Sequence, residues 1–152
     1  MTFFRQASAA AILIALTLWL QTAGMALLIH WARARLASNI HKLGPVLSAV
    51  LMVRFTTAII ALHLSHIVLW TTFNHWQCLP SWETAFYFST SSYTTVGYGD
   101  VVLSQRWRTL GPVESVIGVL MTGLSVSVLF SIMTRLVERE VGSDAMGSAE
   151  VA

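Results

Sequence analysis

Three long runs of apolar residues divide the chain. They cover residues 7–31, which Gln21 and Thr22 interrupt, then about 45–70 and about 111–137. A helix of roughly 20 apolar residues crosses the hydrocarbon core of a bilayer at a rise of about 1.5 Å per residue. The pattern therefore predicts three membrane-spanning helices.

The composition leads to the same class of protein. Of the 152 residues, 55% are hydrophobic and 11% are charged, whereas a soluble domain carries about 25% charged residues. Three spans leave no room for a separate soluble domain, and a net charge of +2 does not indicate nucleic-acid binding. The single cysteine, Cys78, cannot form an intrachain disulfide. The expected partner is a lipid bilayer, and no small-molecule substrate is indicated.

The positions of basic residues predict the orientation. The segment 32–44 and the end of the third run are richer in basic residues than the segment before the first run, which has only Arg5. Basic segments stay in the cytoplasm, so we expect the N-terminus outside and the C-terminus in the cytoplasm of a multi-pass cell-membrane (plasma or inner membrane) protein. Arg106 and Arg108 oppose this tendency, because the predicted orientation places them on the outer side. The first run is too long for a signal-peptide core and is expected to stay as a helix. The basic residues used are Arg33, Arg35, Lys42, Arg135 and Arg139.

Residues 71–110 are too broken to span and are predicted to form a loop. Ser81 is a plausible helix N-cap, and a short helix from Trp82 to about Tyr93 would enter the membrane without crossing it. The following Thr-Val-Gly-Tyr-Gly, residues 95–99, would lie at membrane depth, where bare backbone must line a water or ion path. Its two glycines permit backbone conformations closed to other residues.

Residues 94–100 read Thr-Thr-Val-Gly-Tyr-Gly-Asp, and this motif resembles the selectivity filter of the potassium-channel pore family. The resemblance covers residues 45–137 and implies an outer helix, a pore helix, a filter and an inner helix. It implies that four chains form a homotetramer whose filter faces outward. It also implies that backbone carbonyls coordinate K⁺ and that neighbouring residues support the filter and its outer mouth. The implied ligands are Thr95, Val96, Gly97 and Tyr98, with the Thr95 hydroxyl at the innermost site; the supporting residues are Thr94, Gly99 and Asp100.

One residue departs from the family pattern. Some members carry a glutamate four residues before the threonine that corresponds to Thr95, and this glutamate pairs with the aspartate of the motif. Here that position is Ser91, so Asp100 is expected to lack this partner. Inactivation behaviour therefore does not carry over from the family.

The third run contains a polar stripe and two glycines of interest. Ser127, Ser131 and Thr134 recur at i, i+4 and i+7 and share one helix face, which would line a watery cavity or hydrogen-bond to another helix. Gly123 lies close to the family's hinge glycine, and Gly118 is the competing candidate. Close helix packing is the alternative interpretation of both glycines.

Other polar residues in and near the spans have simpler interpretations. His63 and His66 lie one turn apart and could bind a metal or sense pH, although hydrogen bonding within the bundle is favoured. A protease pairing Ser125 with either histidine would need a nucleophile within reach of its base and would leave the filter motif unexplained. Arg54 alone is no voltage sensor. Cys78, with His75, could form a ring of soft ligands but is expected in a solvated loop.

Together these features predict an all-α membrane protein with three transmembrane helices, a re-entrant pore helix and a filter loop, assembling as a tetramer. The predicted segments are an N-terminal helix and basic loop (1–44), a pore domain (45–137) and a short frayed tail (138–152). The expected function is passive K⁺ conduction without catalysis, cofactor or nucleic-acid partner. A weakly selective cation channel and a non-conducting regulatory subunit are the alternatives.

Overall fold

The computed structural model describes residues 2–38 and 45–149, which form four helices and no strand within those ranges. The helices are α1 (Thr2–Ser38), α2 (Pro45–Gln77), α3 (Trp82–Tyr93) and α4 (Leu110–Ala149). Three segments are long and apolar enough to cross a membrane: Phe4–Ala34, Val46–Gln77 and Leu110–Arg135. The prediction of an all-α fold with three spans and a short helix is confirmed. Lys42, used for the orientation, lies outside the described residues.

The prediction that residues 71–110 form one loop is wrong at its start, because α2 continues to Gln77. Thr71 and Asn74 break the apolar run in the sequence, yet both are buried and paired. The Thr71 hydroxyl donates to the Ile67 carbonyl at 2.7 Å, and the Asn74 amide donates to the Ser89 hydroxyl at 2.9 Å. Since each of these side chains has a hydrogen-bond partner inside the bundle, neither residue ends the helix.

The predicted frayed tail after residue 137 is also wrong, because α4 continues to Ala149. The segment contains no proline, and the glycines in it each cost a helix only about 1 kcal/mol relative to alanine. Helix formers such as Glu138 follow directly on the membrane span. Residues 150–152 lie outside the described part of the chain.

Buried polar contacts dock α1 onto both neighbouring long helices. The Thr17 hydroxyl accepts a hydrogen bond from the Trp70 indole of α2 at 3.1 Å. The Gln21 amide donates to the Met121 carbonyl at 3.3 Å and to the Ser125 hydroxyl at 3.1 Å, both on α4. Apolar burial does not drive helices together in lipid, so such hydrogen bonds and close packing matter more there. Gln21, which interrupts the apolar run in the sequence, is therefore one of the residues that hold α1 in place.

The contacts also fix which end of the bundle holds the filter loop. Near the start of α1, Gln6 accepts a hydrogen bond from Thr109, which lies just before α4. Near the other end of α1, Ala32 packs in one apolar cluster with Leu51 and Ile132. The start of α1 and the loop between α3 and α4 therefore lie at the same end of the molecule.

Candidate functional site

Local features of the chain explain where the predicted pore helix, α3, begins and where it ends. Ser81 adopts an extended conformation (φ −123°, ψ 149°), and its side chain caps the helix by accepting the Thr84 amide at 3.1 Å. After Tyr93 the chain leaves the helix, because Thr95 has a φ of +64°. The predicted cap and the predicted span of this helix are both confirmed.

The filter backbone alternates in the sign of φ. Thr95, Gly97 and Gly99 have φ values of +64°, +56° and +79°, whereas Val96 and Tyr98 between them keep negative φ. Alternation of left- and right-handed residues turns successive N–H groups to one side of the chain. Positive φ costs a glycine little but an L-residue about 1–2 kcal/mol, so Thr95 is held in place by its surroundings. The sequence predicted unusual backbone conformations for the two glycines but not for Thr95.

Hydrogen bonds to the end of α3 determine where the filter carbonyls point. The Thr95 amide donates to the Ser92 carbonyl at 3.0 Å, and the Gly97 amide donates to the Ser91 carbonyl at 3.1 Å. The Tyr98 amide donates to the Ser91 hydroxyl at 3.4 Å. In a trans peptide the carbonyl of the preceding residue points opposite to the N–H, and no peptide among the described residues is cis. Three carbonyls therefore point away from α3: those of Thr94, Val96 and Gly97.

Ser91 thus has a role that the family comparison did not suggest. It lacks the carboxylate of a glutamate, but both its carbonyl and its hydroxyl accept filter amides. Asp100 also has a partner on α3, because the Tyr87 hydroxyl donates to its Oδ2 at 2.9 Å. This hydrogen bond is the main reason that the pKa of Tyr87 is raised, so the phenol remains a donor. The Tyr87 ring stacks on Tyr98 with centroids 6.2 Å apart.

A buried polar cluster joins the three helices around the filter. Asn74 of α2, Ser89 of α3 and Glu114 of α4 are fully buried. The Asn74 amide lies 2.9 Å from the Ser89 hydroxyl and 3.4 Å from Glu114 Oε2. The sequence analysis missed this cluster. A carboxylate inside an apolar helix is the signal that could have indicated it.

Two histidines of α2 meet the last residue of the pore helix. The Nδ1 atoms of His63 and His66 both lie 2.9 Å from the Tyr93 hydroxyl oxygen. The favoured interpretation, hydrogen bonding within the bundle, agrees with these contacts. No group of three potential metal-ligating side chains occurs in the described part of the chain.

The pore helix also lies directly against α4. A Cβ atom at Gly118 would sit 2.0 Å from the Tyr93 carbonyl oxygen, and one at Gly111 would sit 3.2 Å from the Phe88 ring. The Ser115 hydroxyl donates to the Ser92 carbonyl at 2.7 Å. The close-packing interpretation therefore fits Gly118 within a single chain.

A comparison with known protein families identifies the family to which this arrangement of helices belongs. A family model described as "Ion channel" matches residues 48–135, which is more than half of the chain. The chain belongs to this ion channel family. The matched region of the channel contains most of α2, the pore helix, the filter loop and the membrane-spanning part of α4, and it leaves α1 outside. No curated protein and no solved structure matches the chain significantly. The resemblance inferred from the motif is confirmed at the level of the ion channel family.

The predicted cavity residues of the channel lie on an open face of α4. Ser127, Ser131 and Thr134 are exposed in the single chain, and the Thr134 hydroxyl bonds back to the Phe130 carbonyl of its own helix at 3.0 Å. A Cβ atom at Gly123 would meet nothing within 4 Å. This stripe does not join α4 to α1 or α2. Its cavity-lining role and the hinge role of Gly123 stay predictions.

The protease alternative finds no geometric support in the channel. The Ser125 hydroxyl accepts a hydrogen bond from Gln21. Both histidines proposed as its base bind the Tyr93 hydroxyl instead. The nucleophile–base hydrogen bond that such an enzyme requires is not formed.

Cys78 and His75, the possible soft metal ligands, contact aromatic and apolar side chains instead. Cys78 is half-buried and packs against the buried cluster around Trp70, so it is less solvated than predicted. Burial raises the pKa of the Cys78 thiol to about 11, so it stays protonated at neutral pH and is a poor metal ligand. His75 lies in the last turn of α2, with its ring centroid 5.3 Å from that of Trp82.

Proposed function

We propose that four copies of this chain form a K⁺-selective channel whose filter is built from residues 95–98. The observation that carries the proposal is the set of amide hydrogen bonds that turn the carbonyls of Val96 and Gly97 away from α3. Carbonyl oxygens that face a common axis can replace the hydration shell of K⁺ without any charged side chain. Thr95 and Tyr98 complete the coordinating set, and Thr94, Gly99 and Asp100 support it.

The surface around the filter supports a tetramer. One chain supplies one filter strand, so a closed ring of carbonyls requires rotational symmetry among several chains. Apolar side chains on the pore helix and filter are exposed in the single chain, as expected of a surface that meets other subunits. Those exposed are Trp82, Phe86, Tyr87, Val96 and Tyr98.

The orientation follows from the same proposal. The end of the bundle that holds the start of α1 and the filter loop is placed outside the cell, and the end of α4 in the cytoplasm. The C-terminal end of α3 then directs its partial negative charge towards a central cavity, where it favours a cation. The exposed stripe of Ser127, Ser131 and Thr134 lines that cavity, and Gly123 lies below the filter as its hinge.

Flux measurements on reconstituted protein test the proposal. Purified channel in liposomes that carry a K⁺ gradient is expected to pass K⁺ and to pass Na⁺ much more slowly. Gly97→Ala is expected to abolish selective flux, because alanine disfavours the φ of +56° even though space for its Cβ is available. Thr57→Ala, at an exposed position of α2 where the hydroxyl bonds to the Val53 carbonyl of its own helix, is the control and is expected to keep selective flux. Equal K⁺ and Na⁺ fluxes would favour the weakly selective alternative, and no flux would favour the regulatory subunit.

A further inference from the structure

Tyr93 occupies the boundary between the pore helix and the filter. It is the last residue of α3, and only Thr94 separates it from Thr95 with its φ of +64°. A non-glycine residue keeps such a conformation only where the structure around it leaves no alternative. The position of Tyr93 therefore decides where the filter begins.

Two different helices hold Tyr93. Its hydroxyl contacts His63 and His66 of α2, each at 2.9 Å, and its carbonyl oxygen lies where Gly118 of α4 leaves room for it. The side chain is buried, and so is His66. Tyr93 also packs with Ile67, Ile117 and Met121 in one apolar cluster, which holds its ring.

The two histidines cannot play identical roles. A phenolic hydroxyl has a single proton, so it donates to one Nδ1 and must accept from the other. One ring then carries its proton on Nδ1, while the other presents an Nδ1 lone pair. The three side chains form a directional chain of hydrogen bonds, and replacement of either histidine leaves the hydroxyl with one partner fewer.

We propose that His63 and His66 are positioning residues of the filter, which act through the Tyr93 hydroxyl to fix the point where the pore helix ends and residues 94–95 begin. The inference rests on the proposed K⁺ conduction and deepens it. The cluster holds the innermost ion site, to which Thr95 contributes, in the geometry that fits a dehydrated K⁺. Without it the channel assembles but discriminates less between K⁺ and Na⁺.

The first test compares permeability ratios of assembled channels in planar bilayers. Tyr93→Phe keeps the ring and removes the hydroxyl, and it is expected to lower the K⁺/Na⁺ permeability ratio about fivefold. His66→Leu is expected to do the same. His66→Asn is expected to restore most of the ratio, because the asparagine amide reaches the place of Nδ1. Ser65→Ala on the same helix is the matched control, since its hydroxyl bonds only to the Leu62 carbonyl of α2 at 2.6 Å.

A double substitution separates positioning from packing. In the Tyr93→Phe background, His66→Leu is expected to cause no further loss of selectivity, because the hydroxyl through which it acts is already gone. Additive losses would overturn the proposal, as would a wild-type ratio in Tyr93→Phe. If Tyr93→Phe does not assemble, the comparison of His66→Leu with His66→Asn decides. Wild-type channels without K⁺-selective flux would overturn the proposed function itself, whereas a selective wild type with unaffected variants would overturn this inference alone.

Discussion

The two halves of the membrane-spanning part of α4 differ in what they contact. In the outer half, residues 110–121, one side of the helix lies against the pore helix through close glycine contacts and the Ser115–Ser92 hydrogen bond, and Glu114 accepts a buried hydrogen bond from Asn74 of α2. In the inner half, residues 122–135, one side is open and carries exposed hydroxyls. The residues that define the contrast are Gly111, Glu114, Ser115 and Gly118 in the outer half, and Gly123, Ser127, Ser131 and Thr134 in the inner half.

This difference indicates a division of labour within one continuous helix. The outer half packs against the helix that carries the predicted filter, whereas the inner half packs against α1 and α2 on one side and leaves its hydroxyl-bearing side open. The division falls between Gly118 and Gly123. Gln21 of α1 binds α4 at this boundary, on the Met121 carbonyl before Gly123 and on the Ser125 hydroxyl after it. The first helix therefore binds α4 on both sides of Gly123, the proposed hinge.

The largest expected effect comes from filling the close contact in the outer half. Gly118→Ala would place a Cβ atom 2.0 Å from the backbone oxygen of Tyr93, which no rotamer change can relieve. We expect a loss of about 3 kcal/mol or more in the free energy of unfolding. Thermal unfolding of the detergent-solubilised protein would show it. Gly123→Ala, with open space around the Cβ, is expected to be neutral or to stabilise α4 by up to about 1 kcal/mol. Equal effects of the two substitutions would remove the contrast between the halves.

A smaller loss is expected from the buried polar cluster. Glu114→Ala removes an acceptor for the Asn74 amide and should cost about 1–3 kcal/mol. Glu114→Gln keeps the size of the side chain and one acceptor oxygen, so it should cost less. The same unfolding measurement compares them. If Glu114→Gln lowered the free energy of unfolding as much as Glu114→Ala, acceptance of the hydrogen bond from Asn74 could not be the role of Glu114.

Removal of the contact at the boundary should have a weaker effect. Gln21→Met keeps the volume of the side chain and removes its two hydrogen bonds to α4. Interhelical hydrogen bonds in membranes average about 0.6 kcal/mol each, so we expect a loss of about 1 kcal/mol. Leu27→Ala, at an exposed position of the same helix, is the control and should leave the unfolding temperature almost unchanged. A larger loss in the control would mean that α1 is held chiefly by apolar packing.

The smallest change in stability is expected on the open face. Ser127→Ala should alter the free energy of unfolding by less than about 0.5 kcal/mol, because the side chain is exposed on α4. In the proposed channel it should still lower the K⁺ conductance measured in bilayers, since a hydroxyl would be lost from the cavity wall. A strongly destabilised variant would place Ser127 in a contact between chains instead.

The sequence predicted those parts of the fold that depend on local signals. The apolar runs located the spans, and Ser81 located the start of α3 because a serine cap acts on the next few residues alone. Asn74 and Glu114 could not be placed in this way. Each looks like an interruption until α2, α3 and α4 meet and pair their side chains. Likewise, nothing local favours a positive φ at Thr95, which only the hydrogen bonds around it explain.

The direction of the filter carbonyls has a genetic consequence. Each chain turns its ligands away from its own helices, so in the proposed tetramer every ion site is shared by four gene products. A single altered filter strand then disrupts the whole ring of carbonyl oxygens. If a Gly97→Ala chain were produced in equal amount with the wild type and mixed at random, only roughly one tetramer in sixteen would be fully wild type. Such an allele would act as a dominant negative.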